Sequence, residues 1–270
     1  MEILRNTFKW YDRPWAALIF FTRLPFWRIY QPPKNAYQSV VEFWPLTGWL
    51  TASVMAGTLY GGAMLFPYEI AVVLAILSRL LLTGALHEDG LADFFDGFGG
   101  GGNNRQRILD IMKDSHIGTY GVLTLIIYMS LLFGALHSMQ PEVAALTILA
   151  VDPYAKMVSA QVIQMMPYAR TADTAKSKTI YRNISIAASV GLAIQGLLPI
   201  ILYLWWMQGH IEWSVLLFLP CLTMYFLYRL IWRRLKGYTG DCCGAIFLLT
   251  ELTAYLVASY FFAPAANTLM

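Results

Sequence analysis

The feature that most constrains this fold is a series of long apolar stretches. A helix needs about 20 apolar residues to cross a hydrocarbon layer of about 30 Å. Seven stretches come close to that length, and 58% of all residues are hydrophobic, whereas soluble domains have about 45 to 50% even with glycine counted. The sequence therefore predicts an all-α, polytopic membrane bundle of about seven transmembrane helices, at about 44–66, 70–87, 119–138, 143–166, 186–206, 214–232 and 244–262.

No linker or charge block divides the 270 residues, so we expect a single membrane domain over 1–270. Residues 1–43 mix basic and aromatic side chains around an apolar run too short to span the membrane, which predicts an interfacial segment. The net charge of +3 is dispersed and gives no nucleic-acid-binding pattern. The three cysteines form neither a disulfide framework nor a zinc spacing.

Lysine and arginine lie on one side of the predicted spans. Of the 19, all but three occur before the first span or in three connections, which are 88–118, 167–185 and 233–243. The alternate connections and the tail after 262 contain none. The positive-inside rule places the N-terminus and the basic connections in the cytoplasm and the C-terminus outside.

The segment 83–121 concentrates acidic residues in a chain of which only 13% is charged. If its first part is helical, Asp89, Asp93 and Asp96 lie within an arc of about 60° on one face. Like charges at this spacing destabilise a helix unless they are neutralised. Mg²⁺ suits this donor set, since one or two carboxylates and substrate phosphates commonly hold it. The alternative is a solvated acidic helix end.

Glycines and basic residues follow the acidic helix. The run that begins at Gly97 ends the helix and lets backbone amides approach a ligand. A second helical pattern then carries Lys113 and Asp114. Acid, glycine and base in this order favour metal-assisted phosphoryl transfer at a cytoplasm-facing, Asp-rich helix.

Charged residues inside the predicted spans are a second clue, since each costs a few kcal/mol at the bilayer centre unless it is paired or hydrated. Arg79 and Glu251 lie at similar depths, which allows them to pair. Asp152 and Lys156, at i,i+4, can neutralise each other. The alternative is a polar cleft open to the cytoplasm.

The roles of three further residues, Thr239, Asp241 and His87, each have two interpretations. Thr239 and Asp241 lie in a turn before the last span, where Asp241 is a candidate N-cap and the exposed amides could hold a phosphate. A cap without a ligand is an equal alternative. His87, at the start of the acidic segment, has no partner at metal-ligand spacing. Substrate contact and a helix-end hydrogen bond are equal alternatives for it.

Six segments together resemble the cobalamin synthase family, the adenosylcobinamide-GDP ribazoletransferases. They are FFTRLP at 20–25, FWPLTG at 43–48, GALHEDGLADFFDG at 84–97, IMKDSHIGTYG at 111–121, MPYAR at 166–170 and YTGDCCGAIFLLTEL at 238–252. Linked motifs in this order are far more specific than one Asp-rich string, and they cover nearly the whole chain. His116 departs from the family, in which arginine is expected at that position in many members.

The resemblance implies a transferase of the bacterial cytoplasmic (inner) membrane that completes cobalamin biosynthesis. A ribose hydroxyl of α-ribazole, or of its 5'-phosphate, attacks the corrinoid-bearing phosphate of adenosylcobinamide-GDP. GMP leaves, adenosylcobalamin or its 5'-phosphate forms, and Mg²⁺ is required. This chemistry needs neutralised phosphate charge and a carboxylate that orients or deprotonates the hydroxyl.

On this basis we assign roles to residues. The expected Mg²⁺ ligands are Asp89, Asp93, Asp96 and Asp114. The expected catalytic residues are Asp93, Lys113 for phosphate charge, and Asp114 as the base. The expected substrate-binding residues are Arg23, Arg79, His87, Glu88, Ser115, Thr239, Asp241 and Glu251.

Three other activities compete with this interpretation. A CDP-alcohol-type phosphotransferase shares part of the Asp-rich signature, but the Ala-Arg pair of that signature is absent here. An intramembrane prenyltransferase would need a second Asp-rich motif. A transporter often has paired repeats, which this sequence lacks. Membrane lipid is an expected partner and nucleic acid is not. The oligomeric state, a homo-oligomer included, is left open.

Overall fold

The structure is a computed structural model that describes residues 9–170 and 181–262. The first eight residues of the predicted interfacial segment, part of the 167–185 connection and the C-terminal tail therefore lie outside the described residues. Within the described ranges the secondary structure is helical apart from one isolated β-bridge, which confirms the predicted all-α class. The α-helices are α1 Asp12–Phe21, α2 Trp44–Ala63, α3 Tyr68–Thr83, α4 Leu86–Gly100, α5 Arg105–Lys113, α6 Thr119–His137, α7 Pro141–Ala160, α8 Val162–Met165, α9 Ile186–Trp206, α10 Trp213–Leu235 and α11 Gly240–Phe262.

The predicted count of seven spans is not confirmed. In the described part of the chain, five helical segments are long and apolar enough to cross a membrane, namely α6, α7 with α8, α9, α10 and α11. The count rises to six if α3 and α4 form one broken span. Helix α2 has 20 residues, but its glycines, threonines and serine dilute its hydropathy.

Two helices form the centre of the bundle. In α7 and α11, 78% of the most apolar window is buried, against 28% in α6, 22% in α9 and 17% in α10. The outer helices expose large apolar side chains such as Ile126, Ile201 and Phe218. Apolar surface of this extent marks a membrane-facing side.

The predicted second span is bent by 89° between α3 and α4. Gly84 and Ala85 both adopt left-handed backbone conformations, with φ of 65° and 54°. Glycine accepts this conformation readily, whereas alanine at such a φ costs about 1 kcal/mol or more. The backbone N–H of Arg23 donates to the Leu82 carbonyl, 2.7 Å away, and the Arg23 side chain covers Gly84. The bend starts α4 at the beginning of the Asp-rich sequence.

The buried charges of α7 are paired, which is one of the two alternatives that the sequence left open. Lys156 donates to the carboxylate of Asp152, and both side chains are fully buried. The Thr51 hydroxyl donates to Asp152 Oδ2 at 2.8 Å and accepts from Lys156 Nζ at 2.9 Å. Lys156 Nζ also lies 4.6 Å from the centre of the Phe247 ring. This pairing joins α2 to the central helices.

Substituting Gly48 by alanine is expected to destabilise this junction. A Cβ there would lie 2.7 Å from Asp152 Oδ1 and 3.0 Å from the Pro153 Cα, so backbone atoms would have to move. We expect a loss of about 1–3 kcal/mol in the free energy of unfolding. Gly57→Ala, in the same helix, is the control because a Cβ there meets nothing within 4 Å. Thermal unfolding in detergent measures both, and equal stability would contradict the expectation.

Candidate functional site

The site is built where α4 crosses the start of α11. A Cβ on Gly90 would lie 3.1 Å from the Asp241 Cα, and a Cβ on Gly244 would lie 3.2 Å from the His87 carbonyl oxygen. The two backbones approach this closely because each helix presents a glycine to the other. The crossing brings two motif segments distant in sequence, 84–97 and 238–252, into contact.

The N-cap of α11 is Thr239, which corrects the assignment of Asp241 to that position. The helix begins at Gly240, and the Thr239 hydroxyl accepts from the Cys242 N–H at 3.2 Å. Asp241 lies in the first turn instead, where the helix dipole favours a carboxylate. Both residues reach the same pocket.

The segment 166–170 is fixed beside this helix start by backbone hydrogen bonds. The Ala169 N–H donates to the Tyr238 carbonyl at 2.7 Å, and the Tyr238 N–H donates to the Pro167 carbonyl at 3.0 Å. Arg170 donates from Nη2 to the Leu109 carbonyl at 2.9 Å. Burial raises the pKa of Tyr168 to about 12, so it remains a neutral phenol.

A pocket of about 150 Å³ lies between these elements. Four predicted site residues line it, and they are His87, Asp89, Thr239 and Asp241. Asp89 is exposed, whereas the aromatic side chains of Phe21 and Trp44 are buried in the wall. The pocket therefore combines an apolar interior with carboxylates.

His87 is enclosed by aromatic rings. It stacks on Trp44 at 5.8 Å and on Phe21 at 6.2 Å between ring centres, and it meets the edge of Phe247 at 4.8 Å. Its side chain is 5% exposed, and Nε2 is buried without a hydrogen-bond partner among the described residues. The sequence left substrate contact and a helix-end hydrogen bond as alternatives for His87, and Nε2 makes no helix-end hydrogen bond.

The three aspartates of α4 have different surroundings. Asp89 faces the pocket and Asp93 is half-buried. Asp96 is buried, and its two oxygens accept from the Gly118 N–H at 2.7 Å and the Gly121 N–H at 2.9 Å, at the start of α6. Within 9–170 and 181–262, no group of three or more histidine, cysteine, aspartate or glutamate side chains is arranged to hold a metal ion.

Asp96→Asn is expected to destabilise the start of α6. One of the two backbone amides would lose its acceptor and face an NH₂ group, so we expect a loss of about 1–3 kcal/mol. Asp89→Asn, an exposed change on the same helix, should leave the unfolding temperature in detergent unchanged. Equal unfolding temperatures for the two variants would contradict this role of Asp96.

The expected catalytic residues Lys113 and Asp114 and the expected substrate-binding residue Ser115 are exposed at the C-terminal end of α5. Lys113, Asp114 and Ser115 do not line the pocket. Asp114 bonds both the backbone N–H of His116, at 3.0 Å, and its ring Nδ1, at 2.7 Å. These bonds, the backbone one first, lower the pKa of Asp114. A lower pKa makes a carboxylate a weaker base. Asp114 is therefore better suited to electrostatic stabilisation of a positive charge than to proton abstraction.

Arg79, Glu88 and Glu251 form a separate buried cluster. Arg79 Nη1 donates to both oxygens of Glu251, at 2.7 and 2.8 Å, which confirms the predicted pair. Arg79 Nη2 donates to the Tyr128 hydroxyl at 2.8 Å and lies 3.5 Å from Glu88. None of these residues lines the pocket. Their role as substrate ligands stays a prediction.

Residues 13–259 match the model of the family described as cobalamin-5-phosphate synthase. This stretch covers more than nine-tenths of the chain. The chain belongs to this family.

Curated relatives agree with the membership. The chain is 32% identical over 251 residues to the adenosylcobinamide-GDP ribazoletransferase of Leptospira interrogans, covering 91% of this chain and 94% of the relative. It is 33% identical over 246 residues to the enzyme of that name from Shewanella baltica, covering 90% and 91%. It is 35% identical over 243 residues to that from Vibrio vulnificus, covering 89% and 92%. No solved structure matches the chain.

The family resemblance and the pocket coincide. Five of the six segments that carry the resemblance supply residues to the pocket wall, and the exception is 111–121. The aromatic and charged site residues missed from the sequence are Phe20, Phe21, Trp44, Tyr168, Arg170 and Tyr181. All but Tyr181 lie in the motif segments, which was the available signal. Nothing in the sequence singled out Tyr181.

Proposed function

We propose that this chain is an adenosylcobinamide-GDP ribazoletransferase that transfers the adenosylcobinamide phosphate to α-ribazole or to its 5'-phosphate and releases GMP. It is a membrane-embedded transferase of cobalamin biosynthesis. The convergence of five motif segments on one pocket carries the proposal, because segments that define a family gather where its chemistry takes place.

The reaction forms one bond and breaks one. A ribose hydroxyl oxygen of the acceptor bonds to the corrinoid-bearing phosphorus, and the bridging P–O bond to GMP breaks. The hydroxyl proton passes to a base while GMP takes the bonding electrons. Asp89 and Asp241 are the carboxylates at the pocket that could orient or deprotonate this hydroxyl. Arg170 supplies positive charge on the same wall.

Mg²⁺ fits this donor set in the manner usual for phosphoryl transfer. Asp89 and Asp93 would hold it, one helical turn apart on α4, with substrate oxygens completing the coordination. When bound, the ion would neutralise charge on the leaving phosphate. Asp96 has both oxygens engaged by backbone amides, which disfavours Asp96 as a ligand.

We place the protein in the bacterial cytoplasmic membrane with the pocket on the cytoplasmic side. Contacts between the basic connections support this orientation. Arg105 donates to the carbonyls of Ala169 and Leu235, at 2.6 and 2.7 Å, and the Arg182 N–H donates to the Gln38 carbonyl at 2.8 Å. The three basic connections and the N-terminal region thus share one face, which the positive-inside rule assigns to the cytoplasm.

The decisive experiment measures GMP release by the purified protein in liposomes, given adenosylcobinamide-GDP and α-ribazole, with and without Mg²⁺. Release that requires both the acceptor and the metal is the expected result. Release without the acceptor would indicate a hydrolase. No release under any divalent metal, from protein shown to be folded, would refute the proposed function and leave prenyl diphosphates as the next substrates to test.

A further inference from the structure

We propose that the pocket between α4 and α11 binds the 5,6-dimethylbenzimidazole base of α-ribazole, with the ribose at the carboxylates. This inference rests on the proposed function and adds the part of the acceptor that the pocket selects. A volume of about 150 Å³ is below the roughly 300–1,000 Å³ of pockets that hold a drug-sized ligand. It is too small for a corrinoid and is of the order of one flat bicyclic ring system.

The wall is suited to a planar aromatic ligand. Six of its residues have aromatic rings, namely Phe20, Phe21, Trp44, His87, Tyr168 and Tyr181. Phe21 stacks on Trp44 at 5.4 Å with an interplanar angle of 11°, and Phe20 meets the edge of Tyr181 at 6.2 Å. Rings fixed by one another in this way present preformed faces on which a further flat ring can stack.

Polarity distinguishes benzimidazole from guanine, the other flat base among the substrates. Glycosylated dimethylbenzimidazole has two methyl groups and one unsubstituted ring nitrogen. The lining of the pocket is mostly apolar, so the several donors and acceptors along the edges of guanine would need more polar partners there than dimethylbenzimidazole does. Three residues of the wall have a buried polar atom without a hydrogen-bond partner among the described residues, namely Trp44 Nε1, His87 Nε2 and Arg170 Nε.

The positions of the exposed and buried side chains indicate how the ligand is oriented in the pocket. Asp89 and Gly240 are exposed, whereas Phe21, Trp44 and His87 are buried. A base held among the rings leaves its ribose toward the exposed Asp89, with the buried Asp241 on the same pocket wall. The attacking hydroxyl is therefore presented to the groups proposed to orient it, and the pocket couples base recognition to positioning.

Gly240 provides a test that does not disturb the fold. It lines the pocket, and a Cβ there meets nothing within 4 Å, so Gly240→Leu should narrow the opening without a clash. Gly134→Leu is the matched control, because Gly134 is also helical with open space around its Cβ and lies outside the pocket. We expect Gly240→Leu to raise the KM for α-ribazole by about 10-fold or more, the effect of a steric change in an apolar pocket. The KM for adenosylcobinamide-GDP should stay unchanged.

A second variant addresses His87. His87→Phe keeps an aromatic ring in the pocket wall but removes the ring nitrogens that could bond the unsubstituted nitrogen of the base. Calorimetric titration of the full-length protein in detergent should therefore show α-ribazole binding weakened by about 10-fold. The unfolding temperature without ligand should not fall. GMP is the second probe, and its binding should be the same in wild type, His87→Phe and Gly240→Leu.

The outcomes separate the two proposals. Weakened GMP binding with unchanged α-ribazole binding in the pocket variants would overturn the inference in favour of a guanine site. Unchanged KM values for both substrates in Gly240→Leu would overturn it as well. Tight α-ribazole binding without any GMP release from wild type would support the base pocket and refute the proposed transferase activity.

Discussion

Asp93→Asn is expected to abolish GMP release while the protein continues to express and fold. The change keeps the size of the side chain and removes one negative charge from α4, where the sequence places Asp93 one turn after Asp89. If this carboxylate helps to hold Mg²⁺ on the pyrophosphate, its loss should lower kcat by about 100-fold or more, the usual scale for removing one stabilising group from a developing charge. Asp89→Asn should have an effect of the same size.

The control for these variants is Glu142→Gln. Glu142 is an exposed carboxylate in the first turn of α7, and it does not line the pocket. Its activity should match wild type. The assay is GMP release across a range of Mg²⁺ concentrations, with folding checked by unfolding in detergent. Near-normal activity of Asp93→Asn would show that the assignment of this residue to the metal is wrong.

Arg79→Met is expected to have the largest effect on stability. Arg79 is 2% exposed and holds the fully buried Glu251 by two hydrogen bonds. Removing the guanidinium leaves the carboxylates of Glu251 and Glu88 buried without their cationic partner. Breaking a buried ion pair by removing one member destabilises a protein by about 3–5 kcal/mol, a large part of the typical free energy of unfolding.

The double variant Arg79→Met with Glu251→Leu separates structure from catalysis. Apolar replacement of both members of a buried pair is often neutral, so the double variant should recover much of the lost stability, measured as detergent-induced unfolding. If Arg79 contributes only to packing, GMP release by the double variant should recover too. A stable but inactive double variant would instead support the predicted contact of Arg79 with substrate phosphate. Wild-type stability of the single variant would contradict the burial argument.

Local chemistry explains why much of the fold was predictable. Buried charges need partners, so pairing of Asp152 with Lys156, one turn apart on one helix, was one of two alternatives, and the structure shows that pair. The same reasoning made an Arg79–Glu251 pair possible, because the two charges lie at similar depths, and the structure shows this pair. Hydropathy located the long helices but could not fix the number of spans, since α2 is diluted by small polar residues and α3 ends at a bend.

The site was less predictable because helical periodicity shows which face of a helix a side chain is on, but not which other element packs against that face. Asp89 and Asp96 lie on one face of α4, yet Asp89 lines the pocket while Asp96 caps α6. Helix α4 packs against both α6 and α11, so residues two turns apart meet different elements. The aromatic wall was missed for the same reason, since its rings come from five separate parts of the sequence.

The sequence by itself determined the helical membrane class, the candidate pairs of interior charges and the motif segments that identify the family, because these depend on composition and local spacing. The tertiary structure decided the 89° bend at Gly84 and Ala85, the convergence of five motif segments on one pocket and the different surroundings of the aspartates. These features depend on which surfaces the chain brings together over long sequence separations. The glycines at the crossing of α4 and α11 set how closely those surfaces meet.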